Sequence, residues 1–290
     1  MERGPVSDPA RIPLSIIVTC KGRLDHLRQS LPRMDSQPGC ECIVVDYDCP
    51  DGTADWVRRN HPRVKVIEVR NEPRFQVGLA RNLGARAATR EWLAFLDADI
   101  LVEPDFASML AGMVQHGRYF RPSPVTRETC GSFVCHRGDF FALDGFDEVL
   151  EGYGGEDNDM YFRLNHFGRS CTSFDGDLLH SIPHRDHLRS AYHEVADIEL
   201  SRLINATYGH IKYDLMRESG LHLIADETRR TIYSEVKNTL LGNWRQGRKS
   251  GRITISLPVR HVTRVPEGWL IRRRWIFDIE AAAGKPASMQ

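Results

Sequence analysis

The chain has 290 residues, 41% of them hydrophobic, and its 39 lysines and arginines balance 39 aspartates and glutamates. That length and apolar content suit one large α/β domain, or one domain with an extension, around a sizeable core. A neutral balance supplies no overall field toward nucleic acid or an anionic membrane surface, so no nucleic-acid partner is expected. Leu14 to Cys20 is an apolar, β-branched run, the pattern of a strand buried on both faces. Lys21-Gly22-Arg23 turns into a helix with Leu24, Leu27 and Leu31 near helical spacing. Cys42 to Asp46 is a second buried strand ending in an acid, and Asp51-Gly52-Thr53 opens the next helix. Val64 to Val69 reads as a third strand, Gly78 to Thr89 as a helix, and Trp92 to Leu96 as a fourth strand. Such alternation predicts βαβ units and a mainly parallel sheet flanked by helices.

Periodicity fades from Arg118 to Cys130, where Pro122 and Pro124 predict a loop; Phe133 to Phe141 returns to a strand followed by a helix. Beyond about residue 185 the character changes. Ile198 to Tyr208 and Asp226 to Trp244 predict amphipathic helices, with Asp226 as a cap and Ile232, Val236 and Leu240 as an apolar stripe. Residues 253–259 alternate like a strand, and the C-terminal end is expected to fray. The expected organisation is a catalytic domain over 1–185, with a nucleotide half about 12–110 and an acceptor half about 111–185, and a mainly helical extension over 186–290 packed on it. Seven irregularly spaced cysteines form no zinc pattern. Reduced thiols, no signal-like N-terminal run and no apolar run of transmembrane length give the expectation of a cytoplasmic chain without an integral membrane segment.

Three groups of residues carry chemistry. Asp97 and Asp99 close the fourth strand, where a bend lets two carboxylates reach one hard cation; oxygen donors suit magnesium or manganese shared with substrate phosphates. The bland alternative for so short a pattern is a solvated strand end with a capping acid. Gly154-Gly155-Glu156-Asp157 opens a helix after a glycine pair that permits positive φ. Helix capping explains one acid there but not three, so Asp157 or Glu156 is a candidate general base, with Asp159 undecided between ligand contact and helix start. His180, His184, His187 and His193 follow; imidazole completes a manganese site well, and spacing does not separate His180 from His184.

Assembled in order, Ser15-Ile-Ile-Val-Thr, Val44-Val-Asp46 with Asp51-Gly-Thr53, Gly78-Leu-Ala-Arg81-Asn82-Leu-Gly84 and Phe95-Leu-Asp97-Ala-Asp99 resemble the successive motifs of family-2 glycosyltransferases of GT-A fold. Gly131-Ser-Phe-Val-Cys-His-Arg137, Gly145-Phe-Asp-Glu148 and Gly154-Gly-Glu-Asp157 resemble the second half of β-1,4-galactosyltransferases and bacterial chondroitin-polymerase-type transferases. The resemblance spans roughly residues 12 to 185. It implies a UDP-sugar donor held by Thr19, Asp46, Arg81 and Asp97, and a manganese (or magnesium) ion on Asp99 and a histidine, His180 matching better than His184. It also implies Asp157 as the base, with Glu156 binding sugar, and inverting transfer to a hydroxyl of a glycan, peptide or natural product. Tyr153 stands where the family often has tryptophan, and Asp46-Tyr47-Asp48-Cys49 replaces the usual Asp-Asp-Gly-Ser. Two rivals remain: a sugar nucleotidyltransferase, which needs a basic phosphate loop better than Lys21-Gly22-Arg23, and a non-catalytic UDP-sugar-binding protein.

Overall fold

A computed structural model describes residues 12–183, 191–248, 250–258 and 272–280. Strand β1 (Leu14–Cys20) is buried along its whole length because both of its faces are covered. Leu14, Ile16, Val18 and Cys20 point to one side, against Leu27, Leu31 and Met34 of helix α1 (Leu24–Asp35). Ile17 points to the other, with Ala85, Phe95, Phe133 and Met160. In this two-residue alternation one face is wholly apolar, and on the other Ile17 is flanked by the small buried hydroxyls of Ser15 and Thr19. The pattern suits a central parallel strand covered on both faces.

The elements then follow as β2 (Glu41–Tyr47), α2 (Thr53–Asn60), β3 (Lys65–Val69), α3 (Val77–Ala87), β4 (Trp92–Asp97), β5 (Ile100–Val102), α4 (Phe106–Ala111), β6 (Arg118–Ser123), β7 (Phe133–His136), α5 (Arg137–Ala142), α6 (Glu156–His166), β8 (Ser170–Asp175) and β9 (Leu179–Ser181). The main sheet has the order β3-β2-β1-β4-β7-β6-β8. Strands β3, β2, β1 and β4 run parallel, whereas β7 is antiparallel to β4 and to β6. The sheet is thus mainly parallel and flanked by helices, as the alternation of elements predicts. Helix α3 lies so close to the sheet that a Cβ on Gly84 would come within 2.5 Å of Ile17 and 3.1 Å of Val45, so glycine is required there.

Register places the chemistry. Thr19 pairs with Asp97 and Cys20 with Asp46, so the ends of β1, β2 and β4 share one edge. Because β1 has β2 on one side and β4 on the other, that edge holds the sheet's switch point, where doubly wound sheets open a ligand crevice.

Two expectations change. Part of the stretch expected to be a loop is strand β6, in which Tyr119 and Phe120 are buried and paired with β7. Pro122 is tolerated because it lies past the two residues that pair with β7 and meets only β8. The C-terminal third holds the expected helices α7 (Ile198–Ser219) and α8 (Asp226–Arg245) and the expected strand, β10 (Ser250–Pro258), which pairs antiparallel with a strand outside that expectation, β11 (Arg272–Glu280). Leu200, Ile204 and Tyr208 of α7, Ile232, Val236 and Leu240 of α8, and Ile253 form a core of their own that takes in Val149 and Leu150. The expected stripe on α8 therefore anchors the loop that leads into the acidic motif.

Candidate active site

At the switch point lies a cavity of about 540 Å³, lined among others by Thr19, Arg81, Asp97, Asp99, Glu156 and Asp157. These come from β1, α3, the end of β4 and the first turn of α6. Their meeting place is Gly131, just ahead of β7. A Cβ there would lie 3.2 Å from Nη2 of Arg81, 3.8 Å from Oδ2 of Asp97 and 3.9 Å from Oδ2 of Asp157. Glycine at 131 leaves space for the guanidinium and both carboxylates to converge.

Arg81 organises the acids. Its guanidinium, 2% exposed, donates to Asp97 Oδ1 at 2.8 Å and to Glu156 Oε1 at 3.4 Å. Burial works to lower its pKa, but the carboxylates of Asp97, Glu156 and Asp157 outweigh that and keep the group charged. For Glu156 the balance is reversed. Burial, and then the Asp157 carboxylate, push it up to about 7 against the pull of Arg81. Glu156 can therefore exchange a proton near neutrality, which suits a site that handles protons at physiological pH.

The acidic loop is clamped from outside the sheet. Gly154 and Gly155 have φ of +83° and +101°, a region closed to most side chains, and Gly155 delivers the chain into α6. Asn205 of α7 donates through its amide to the carbonyls of Glu151 (2.9 Å) and Gly154 (2.6 Å). Ser201, one turn earlier, accepts from the Tyr153 amide at 2.7 Å. Arg202 lies over the Tyr153 ring, and His210 and Tyr213 also face the cavity. Sequence reasoning missed these residues. Ser201 and Asn205 are buried polar residues four apart on the face of α7 that also carries Ile204 and Tyr208, which is the signal that could have found them.

Across the opening, the segment after residue 190 covers the strand ends. Phe75 donates its amide to the Tyr192 carbonyl at 2.8 Å, and its ring stacks with His193. Lys21 reaches the same region, but its ammonium donates to the carbonyls of Tyr47, Asp48 and Glu72 at 3.0, 3.0 and 2.8 Å. It ties strand-end loops together and is not presented as a phosphate ligand.

Three of the residues singled out from sequence sit elsewhere. Asp46 does not line the cavity; its carboxylate accepts from the amides of Cys49 at 2.8 Å and Ala54 at 2.7 Å, which fixes the turn into α2. His180 is opposite Leu101 in the β5–β9 pair, and its Nε2 meets Glu103 at 3.1 Å, outside the cavity that holds Asp99. Its neighbour in the alternative, His184, lies outside the described residues. Asp159 is buried behind the site, bonded to Arg163 at 2.8 Å and paired with Lys212. Asp97 and Asp99 both face the cavity, Asp99 paired with Arg23 at 3.0 Å. No third histidine, cysteine or carboxylate joins them at ligand spacing among the described residues. Two hard oxygen donors opening into a cavity fit a magnesium or manganese ion that draws its remaining ligands from phosphates and water.

A family model described as glycosyl transferase family 2 matches residues 15–163, the stretch from β1 into α6 that builds this cavity. The chain belongs to glycosyl transferase family 2. The matched stretch carries Thr19, Arg81, Asp97, Asp99, Glu156 and Asp157, all of which line the cavity. The chain is 26% identical over 222 residues to validoxylamine A glucosyltransferase of Streptomyces hygroscopicus subsp. limoneus, covering 55% of this chain and 49% of that protein. It is 26% identical over 224 residues to pre-mycofactocin glycosyltransferase of Mycobacterium tuberculosis (strain CDC 1551 / Oshkosh), covering 64% and 46%. The chain thus spans about half the length of these two relatives.

Solved structures agree on the fold. The mannosyltransferase PcManGT from Pyrobaculum calidifontis, in complex with GDP-Man and Mn2+, superposes with a TM-score of 0.55 at 16% identity, covering 83% of this chain and 81% of that one. S. aureus TarS 1-349 in complex with UDP-GlcNAc gives 0.53 at 14% identity, covering 82% and 93%. At such identities the likeness concerns the α/β fold of the GT-A type. No helix among the described residues is long and apolar enough to cross a membrane.

Proposed function

We propose that this glycosyltransferase moves a hexose or N-acetylhexosamine from a UDP-sugar to an acceptor hydroxyl with inversion at the anomeric carbon. The observation that carries the reading is the convergence of Arg81, Asp97, Glu156 and Asp157 around Gly131. A carboxylate base and a guanidinium at one point of a cavity provide both halves of a single displacement. Thr19 and Asp97 at the strand ends line the donor side, and Arg81 faces the sugar and diphosphate. Asp157 accepts the acceptor's proton as the hydroxyl attacks, and Glu156 holds sugar hydroxyls. The likeness of Gly154-Gly-Glu-Asp157 to β-1,4-galactosyltransferases and chondroitin-polymerase-type enzymes supports the inverting course. Asp46 supports the site by shaping the loop before α2.

A divalent ion on Asp99, with Asp97 beside it, would supply Lewis-acid stabilisation of the departing diphosphate. Asp99→Ala is expected to abolish metal-enhanced UDP binding in titration calorimetry, and His180→Ala to leave it intact; unchanged binding in Asp99→Ala would remove that residue from the metal site. The reading as a whole is tested by slow hydrolysis of a panel of UDP- and GDP-sugars with manganese. Turnover of one UDP-sugar is expected, and turnover of GDP-sugars alone would overturn the donor class.

The raised Glu156 carboxyl makes a separate prediction about stability. The folded chain holds this proton more tightly than the unfolded one, so stability is lost as pH rises from the ordinary glutamate range through about 7. Glu156→Gln should therefore stabilise the ligand-free enzyme more at pH 8 than at pH 5, read as the shift in urea midpoint. An equal shift at both pH values would contradict the raised carboxyl.

A further inference from the structure

At the other end of β4 from the catalytic cavity, Glu91, His116 and His136 bring one carboxylate and two imidazoles together. They come from three places in the chain: the residue before β4, the loop before β6, and the end of β7. Glu91 Oε1 lies 3.2 Å from His116 Nε2 and 3.8 Å from His136 Nε2, and all three ligand atoms fall within 4.8 Å of one another. Ligands on a tetrahedral zinc with bonds of about 2.0–2.1 Å stand about 3.3 Å apart. Two edges of that tetrahedron are thus nearly formed, and only the gap between the histidines has to close.

The scaffold holds the rings in place. Trp92, 3% exposed, packs against both, with ring centroids 5.9 Å from His116 and 5.5 Å from His136. The Arg137 amide donates to the Glu91 carbonyl at 2.8 Å, joining the strand ends that carry two of the ligands. Gly138 leaves room for the His136 ring, because a Cβ there would come within 2.9 Å of it. The backbone pairs Trp92 with His136, so this register is built into the sheet.

We propose that Glu91, His116 and His136 form a second metal site, selective for zinc(II), with water in the fourth position. Two imidazole nitrogens and one carboxylate oxygen favour zinc over the hard ions suited to Asp97 and Asp99. The site lies at the Trp92 end of β4, about 17 Å along the strand from the Asp97 end. It takes no part in transfer chemistry; bound zinc pins the turn before β4 to the loop before β6 and the end of β7.

The test is calorimetric titration of the whole chelator-treated chain with zinc chloride in the Asp99→Ala background, which silences the catalytic pair. One equivalent of zinc is expected to bind, and His116→Ala or His136→Ala in that background is expected to weaken it by at least about tenfold. His116 is 72% exposed, so its replacement leaves the fold intact. Cobalt chloride should give a tetrahedral visible spectrum that His136→Ala abolishes. With Asp99 restored, His116→Ala should leave sugar-nucleotide hydrolysis unchanged. No zinc uptake by the parent, or equal uptake by the histidine variants, overturns the proposal.

Discussion

Replacing Asp157 with asparagine is expected to lower sugar transfer by about 10²- to 10⁴-fold, the usual worth of a positioned general base, while leaving UDP affinity near that of the parent. The side chain lies in the first turn of α6, buried, facing the cavity, with its second oxygen directed to the space over Gly131. Asparagine keeps the volume and the bond to the Asn158 amide but cannot take a proton. The substitution has a second consequence. Asp157 is one of the charges raising Glu156, so its removal should bring the Glu156 carboxyl down toward the ordinary glutamate range. Residual activity in the variant should then show an altered acid limb in its pH profile. Wild-type turnover in Asp157→Asn would remove the residue from the role of base. Equal loss of UDP binding and turnover would assign it to donor binding.

Much of this site is legible because strand ends and helix starts advertise themselves. The apolar run to Cys20, the run to Asp46 and the run to Asp97 are buried parallel strands, and Gly154-Gly155 marks a turn before a helix. Side-chain direction is harder to read. Asp46 stands at a strand end like Asp97, yet its carboxylate folds back on the Cys49 and Ala54 amides. Sequence position alone cannot distinguish a ligand from a turn cap. His180 sits on a strand whose side chains alternate, and pairing with β5 directs it to Glu103.

Asp159 follows from helix geometry. Two residues on a helix are about 200° apart, so with Asp157 in the cavity Asp159 must face the opposite side. The clamp from α7 was hidden for a different reason. Ser201 and Asn205 lie some fifty residues after the loop they hold, and only the tertiary fold brings them to it. The same holds for Glu91, His116 and His136, whose spacing matches no metal-binding pattern.

The other large effect is expected at Asp147, within Gly145-Phe-Asp-Glu148. Its carboxylate, 1% exposed, accepts from Tyr208 and Lys212 of α7 and from Arg229 of α8, each at 2.6 Å. Lys212 also pairs with Asp159 of α6, so one lysine links the loop before the site, the helix that carries Asp157, and the C-terminal helices. Burial alone would raise the Asp147 carboxyl. Lys212, Arg229 and Arg163 override it and hold the group well below the usual carboxylate range. Asp147→Ala would leave Lys212 and Arg229 buried without this partner, a loss worth about 3–5 kcal/mol. The sign with pH follows from the depressed carboxyl. Its contribution is complete above the unfolded aspartate value of about 3.9 and disappears as pH falls through the folded one. Urea unfolding should therefore separate parent and variant strongly at pH 7, with the gap beginning to narrow below about pH 4 and closing only as the pH approaches the folded value. A difference below about 1 kcal/mol at pH 7, the range of an exposed pair, would mean that the cluster is solvated and does not fix α6. Because α6 presents Asp157, the folded fraction of Asp147→Ala should also transfer sugar more slowly. A turnover deficit without a change in donor affinity is the signature of a displaced base.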